Sequence, residues 1–210
     1  MITLCNVSKR FRGHQVLKDI SVVFPKERIS GIVGRNGSGK TVLLKCIIGL
    51  MKPDQGEIIV NGHRIGKGNA FAQDVGFIVN RPGFLGDMSG FKNLKYLASI
   101  RGTIGDDEIK KAIEVVGLDP SDRKHVDKYS MGMNQRLGIA QALMENPSIL
   151  ILDEPMNGLD NNTVIEMRSL FCTLREQGKT MVITSHNHED IEQLCDMVCE
   201  MDNGVLIQTN

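Results

Sequence analysis

The segment Gly34 to Thr41 reads GRNGSGKT and fits the pattern G-x-x-x-x-G-K-[ST]. Its eight residues are Gly34, Arg35, Asn36, Gly37, Ser38, Gly39, Lys40 and Thr41. A short apolar run, RISGIVG, leads in, and KTVLLKCIIGL follows with helical spacing at Leu43, Leu44, Ile47 and Ile48. A loop between strand and helix can turn successive backbone N–H groups inward. Its glycines let those groups approach nucleotide phosphates without side-chain clash. Lys40 supplies a cation for the β and γ oxygens, and Thr41 a hydroxyl for Mg²⁺. The competing reading, a plain glycine-rich turn, leaves the flanking strand and helix unexplained.

The second chemical feature is ILILDE, Ile149 to Glu154. Four apolar residues suit a central strand of a parallel sheet. Two carboxylates then emerge at its C-terminal end, where such folds bind ligands. Asp153 suits Mg²⁺, directly or through water, and Glu154 can orient or deprotonate an attacking water. A third feature is YSMGMNQRLG, Tyr129 to Gly138, which opens a helix on Ser130 and Gly132. A helix start is a second place where backbone N–H groups can hold an anion.

Around these features the chain alternates strand and helix patterns. HQVLKDISVVF alternates as a strand, PDQGEIIVNGHRI reads as turn, strand and turn, and DVGFIVN as a further strand. From about Ser89 to Leu143 helical patterns dominate: GFKNLKYLASIRG, DDEIKKAIEVVGL and NQRLGIAQALMEN. The strand SILILDEP, helix NTVIEMRSLFCTLREQG, strand KTMVITSH and helix EDIEQLCDMV follow, and VCEMDNGVLIQ reads as a hairpin around Asn203-Gly204. The expected fold class is α/β, a core interrupted by a helical lobe.

With 25 basic and 25 acidic residues the formal charge is zero, which argues against nucleic acid as the main partner. Apolar residues make up 41% of the 210, enough for a sizeable core, yet no run nears the roughly 18–20 residues that span a bilayer. MITLCNVSKRF lacks an apolar signal region, so a soluble, cytosolic chain is expected. Cys195 and Cys199 have helix-face spacing but no further ligands nearby, so the five cysteines read as free buried thiols. Few aromatics and no Trp argue against base-stacking platforms.

The ordered set GRNGSGKT, YSMGMNQRLG, ILILDE, NGLD and ITSH resembles the ATP-binding subunit of ABC transporters, over nearly the whole chain. The resemblance implies a P-loop NTPase (RecA-like) core with an antiparallel β subdomain, residues 1–80 and 146–210, and an inserted α-helical subdomain, 81–145. It implies ATP and Mg²⁺ as cofactors, and hydrolysis that drives a separate membrane permease. The chain would sit in the cytoplasm, on the inner face of the membrane. By resemblance, YSMGM stands for the signature LSGGQ, so Ser130 and Gly132 cap the γ-phosphate held by a second ATP-binding subunit. Two copies would pack head to tail around two ATP molecules. Tyr129, Met131 and Met133 depart from that signature, and core packing is an equal reading for them.

The same resemblance places Phe11 against adenine, with Val16 on the same face. Phe11 as a core aromatic is the alternative. Asp160, in NGLD, would be the polar contact of a loop that crosses between subunits, and His186, in ITSH, the switch histidine at γ-phosphate. His188 reads as solvated. Asn80 stands where the family has a glutamine that reaches Mg²⁺ and the attacking water, and its contact is either lost or bridged by water. RPGFLGDMSGFKNL and YSMGMNQRLGIAQAL look like the branch that exports, or resists, peptides such as bacitracin and lantibiotics. A soluble ABC-type ATPase acting on another partner is the competing function. The chain ends soon after its last strand pattern, so no added regulatory domain is expected.

Overall fold

The computed structural model describes residues 1–66, 71–80 and 82–209. The chain begins with β1 (Ile2–Phe11), β2 (His14–Phe24), β3 (Ile29–Val33), α1 (Lys40–Ile48), β4 (Gln55–Val60), β5 (His63–Arg64) and β6 (Val75–Ile78). Three helices follow, α2 (Gly90–Arg101), α3 (Asp106–Val115) and α4 (Met131–Leu143), the last preceded by a 3-10 turn at Val126–Lys128. It closes with β7 (Ile149–Asp153), α5 (Asn161–Glu176), β8 (Thr180–Ser185), α6 (His188–Leu194), β9 (Met197–Asp202) and β10 (Val205–Gln208).

Two sheets result. One is antiparallel, in the order β2-β1-β4-β5, and the other runs β10-β9-β3-β8-β7-β6. In the second, β9, β3, β8, β7 and β6 are parallel, and β10 turns back on β9. Every residue of β3, β7 and β8 is buried, as expected for parallel strands covered on both faces. Alternate residues of β7 serve different cores. Ile149 and Ile151 join α1 and the antiparallel sheet, while Leu150 and Leu152 join the cluster with α4, Phe171 and the lobe helices. Parallel strands also share one C-terminal edge. The loops after β3, β6, β7 and β8 therefore open side by side.

The turn of Asn203 and Gly204, both at positive φ, joins β9 to β10 as the sequence predicts. The segment before it differs from its reading. EDIEQLCDMV is helical only to Leu194; Cys195 is extended (φ −96°, ψ 138°), and Met197 and Val198 belong to β9. Pairing with β3, Ser30 opposite Met197, overrides the helical spacing. Asp196 fixes the crossover, because its carboxylate accepts the Ile29 N–H at 2.9 Å and pairs with Arg175 at 3.0 Å. Cys195 and Cys199 are thus not neighbours on a helix face. All five cysteines are free, and burial pushes Cys46 and Cys199 up to about 11 and Cys195 to about 12, so these thiols stay protonated. Among the described residues no helix is long and apolar enough to cross a membrane.

Candidate active site

The loop after β3 carries the GRNGSGKT segment into α1. Gly34 lies so close to β9 that a Cβ there would stand 2.2 Å from the Met201 carbonyl oxygen. Gly39 caps α1 at φ 115°, a backbone open to glycine. With Val16, residues Arg35, Asn36, Gly37, Gly39, Lys40 and Thr41 line a cavity of about 170 Å³, which Glu154 also reaches. Among the described residues, Ser38 Oγ is buried with no hydrogen-bond partner.

Lys40 is buried, and its ammonium donates to the carbonyls of Gly34 at 2.6 Å and Arg35 at 3.2 Å. It also stands 3.4 Å from Glu154 Oε1. One turn face further, the Thr41 hydroxyl donates to Asp153 Oδ2 at 2.7 Å. The Asn80 N–H approaches the same oxygen at 3.4 Å. Asn80 lines a larger cleft of about 710 Å³, together with Thr41, Asp153, Glu154, Phe84 and Gln135. Glu154 Oε2 accepts the His186 N–H at 3.2 Å and lies 2.7 Å from His186 Nδ1. Loops 34–41, 80, 153–154 and 186 therefore converge, as the shared strand edge requires.

Two residues in this cluster have no counterpart in the sequence reading. Thr184, fully buried on β8, donates to Asp153 Oδ1 at 2.6 Å and accepts the Glu154 N–H at 3.0 Å. Gln135, on α4, donates from Nε2 to the Glu154 carbonyl at 3.1 Å. The only sequence signal was position: Thr184 sits inside ITSH and Gln135 inside the YSMGMNQRLG helix.

The remaining sequence candidates lie apart from this cluster. Phe11 is 40% exposed, with the Lys9 ammonium 5.6 Å from its ring centre, so it is not a core aromatic. Ser130 is exposed and caps α4 by accepting the Met133 N–H at 3.1 Å. Gly132 rests on the loop after Glu154, where a Cβ would lie 3.3 Å from the Gly158 oxygen. Met131 covers the same loop, reaching into the space that a Cβ on Gly158 would fill. Tyr129 packs into the lobe's apolar cluster. Asp160 caps α5, accepting from Thr163 N at 3.0 Å and Thr163 Oγ1 at 2.8 Å, and these donors hold its carboxyl below the usual range. His188 opens α6 and is exposed.

A family signature described as ABC transporter matches residues 17–157. An uncharacterized ABC transporter ATP-binding protein of Bacillus subtilis (strain 168), YybJ, is 41% identical over 98% of this chain and 94% of its own. The chain belongs to the ABC transporter family. Within it, this ABC ATPase is 40% identical to the bacitracin transport ATP-binding protein BcrA of Enterococcus faecalis, over 97% of the chain and 67% of BcrA. Its fold matches that of the dimeric MJ0796 cassette, a bacterial ABC transporter cassette, with TM-score 0.88 and 23% identity, covering 100% of this chain and 99% of that one. The expected α/β fold, with a P-loop NTPase core, is the fold observed, and the family makes the chain an ATP-binding protein.

Proposed function

We propose that this ABC ATPase hydrolyses Mg²⁺-bound ATP and thereby powers a separate membrane permease. The observation that carries this reading is the convergence of Lys40, Thr41, Asp153, Glu154 and His186 at one edge of the parallel sheet. The residues fit both groups. Among the described residues, a buried Ser38 hydroxyl without a partner and a Lys40 ammonium held by two loop carbonyls and one carboxylate suit an incoming phosphate. A threonine hydroxyl 2.7 Å from a carboxylate offers the hard oxygen donors that Mg²⁺ selects.

When bound, Mg²⁺ neutralises phosphate charge. Thr41 and Asp153 hold it, with Asn80 beside them. Lys40 turns from Glu154 to the phosphates, and the glycine-rich loop donates its backbone N–H groups. Glu154 accepts the proton of the attacking water, and His186 steadies that carboxylate through Oε2. Phe11 and Val16 take the adenine. Ser130, Gly132 and Asp160 serve a second copy of the chain, and the dimeric state of the MJ0796 cassette supports that arrangement. Residues 1–80 and 146–210 act as the core, against which the lobe of 81–145 moves.

The 40% identity with a bacitracin transport ATP-binding protein supports a peptide antibiotic or similar amphiphile as the cargo, for export or resistance. The chain then works in the cytoplasm, at the inner face of the membrane. The test is co-expression with candidate permeases encoded beside it. Copurification, with hydrolysis stimulated by the permease and further by bacitracin, is expected. Failure of every membrane protein tested to bind the chain or stimulate its hydrolysis would remove the transport role.

A further inference from the structure

Asp153 and Glu154 are neighbours in sequence with different tasks, and one hydroxyl touches both. Thr184 lies directly opposite Asp153 in the β7–β8 register and is fully buried. A threonine hydroxyl has a single proton and two lone pairs. Its proton goes to Asp153 Oδ1 at 2.6 Å, and a lone pair takes the Glu154 N–H at 3.0 Å. We infer that Thr184 is a positioning residue for the ATPase reaction, setting the metal-binding carboxylate and the general base with one group. The inference rests on the reading of Asp153 as Mg²⁺ ligand and Glu154 as base.

Two consequences follow from the geometry. With Oδ1 engaged, Asp153 presents Oδ2 to Thr41, 2.7 Å away, and to the cleft. Rotation of the carboxylate would break one bond or the other. Glu154, meanwhile, has φ 51°. A left-handed backbone at a non-glycine residue persists where its surroundings hold it. Thr184 holds its N–H, and Gln135, from α4, holds its carbonyl at 3.1 Å. That turn is what aims the Glu154 side chain between Lys40 at 3.4 Å and His186 at 2.7 Å. Thr180, the other buried threonine of the strand, has no such part; its hydroxyl accepts the Glu27 N–H at 3.0 Å, far from the cleft.

The test compares Thr184→Val, Thr184→Ser and Thr180→Val in the full chain. It measures binding of a non-hydrolysable ATP analogue with EDTA or with Mg²⁺, steady-state hydrolysis, and thermal stability. Thr184→Val keeps the shape and removes the hydroxyl. Binding in EDTA should stay at the wild-type level, while the gain from Mg²⁺ and kcat should each fall by roughly tenfold to a hundredfold, the usual scale for a group that orients metal ligands. Thr184→Ser should restore both, and Thr180→Val should lower stability alone. Asp153→Asn, run alongside, should lose the Mg²⁺ response. If it does and Thr184→Val keeps the wild-type response, the positioning role is wrong. If Thr184→Val does not fold, Thr184→Ser decides: a serine that loses the Mg²⁺ response as well shows that the methyl, not the hydroxyl, matters. An Asp153→Asn protein with a normal Mg²⁺ response would overturn the site reading and this inference with it.

Discussion

Replacing Glu154 by glutamine should stop turnover and at the same time tighten ATP binding. Glu154 Oε2 accepts the His186 backbone N–H, which can only donate. The amide oxygen of a glutamine must therefore take that place, and its NH₂ group turns toward Lys40. An amide cannot accept the water's proton, so the general-base contribution of roughly 10²- to 10⁴-fold is lost. The second effect comes from Lys40. Its ammonium, 3.4 Å from Glu154 Oε1, is held by a carboxylate that competes with phosphate, and the two side chains are only 6% and 19% exposed. This sheltered ion pair, without a hydrogen bond at Oε1, contributes about 1 kcal/mol, and its loss frees Lys40 for phosphate, a gain of roughly 5-fold in affinity. Removing the negative charge beside a bound phosphate acts in the same direction. Phosphate release under steady state measures the first effect, and equilibrium titration with ATP over the time before turnover measures the second. Wild-type hydrolysis by Glu154→Gln would refute its role as base. Unchanged or weaker ATP binding would refute the competition for Lys40.

The same variant with ATP should shift from monomer to dimer in light scattering, and adding Ser130→Arg should abolish the shift; a dimer that survives would place Ser130 outside the shared site. Asn80→Gln, one methylene longer, should raise basal hydrolysis severalfold with little change in ATP affinity. Equal rates in the two proteins, with and without a permease, would make a direct side-chain contact irrelevant. Gly76→Ala should destabilise the chain by about 2–3 kcal/mol through overpacking. The added Cβ would stand 1.9 Å from the Ala142 carbonyl oxygen, backbone that can move only with α4. At roughly 2–4 °C per kcal/mol for a domain of this size, Tm should fall by about 4–12 °C in a circular-dichroism melt. An unchanged Tm would mean that β6 and α4 separate freely.

Much of the site was readable along the chain because its parts are local. GRNGSGKT is one loop, and the function proposed for it needs only consecutive backbone N–H groups whose conformations glycine permits. ILILDE carries its own burial pattern, and Asn203-Gly204 its own turn. Local signals also misled. The apolar spacing of EDIEQLCDMV runs past Leu194, but β3 needed a parallel neighbour and took Met197 onward as a strand. Phe11 shows the opposite limit, since its type and neighbours left a core aromatic open, and only the family resemblance favoured the exposed position it takes at the end of β1.

Sequence alone determined which chemical groups this chain owns and the order in which strand edges deliver them: a phosphate loop, a carboxylate pair, a serine at a helix start and a histidine after a strand. Those are properties of contiguous segments, set by backbone conformation and hydrophobic period. The tertiary structure alone decided which groups meet. Lys40 and Glu154, or Asp153 and Thr184, come together only because β3, β8 and β7 lie side by side in register, and Gln135 reaches Glu154 only because α4 packs across the sheet. Hydrogen bonds demand heavy-atom placement within a few tenths of an ångström, and no pattern along one strand specifies what its neighbour presents.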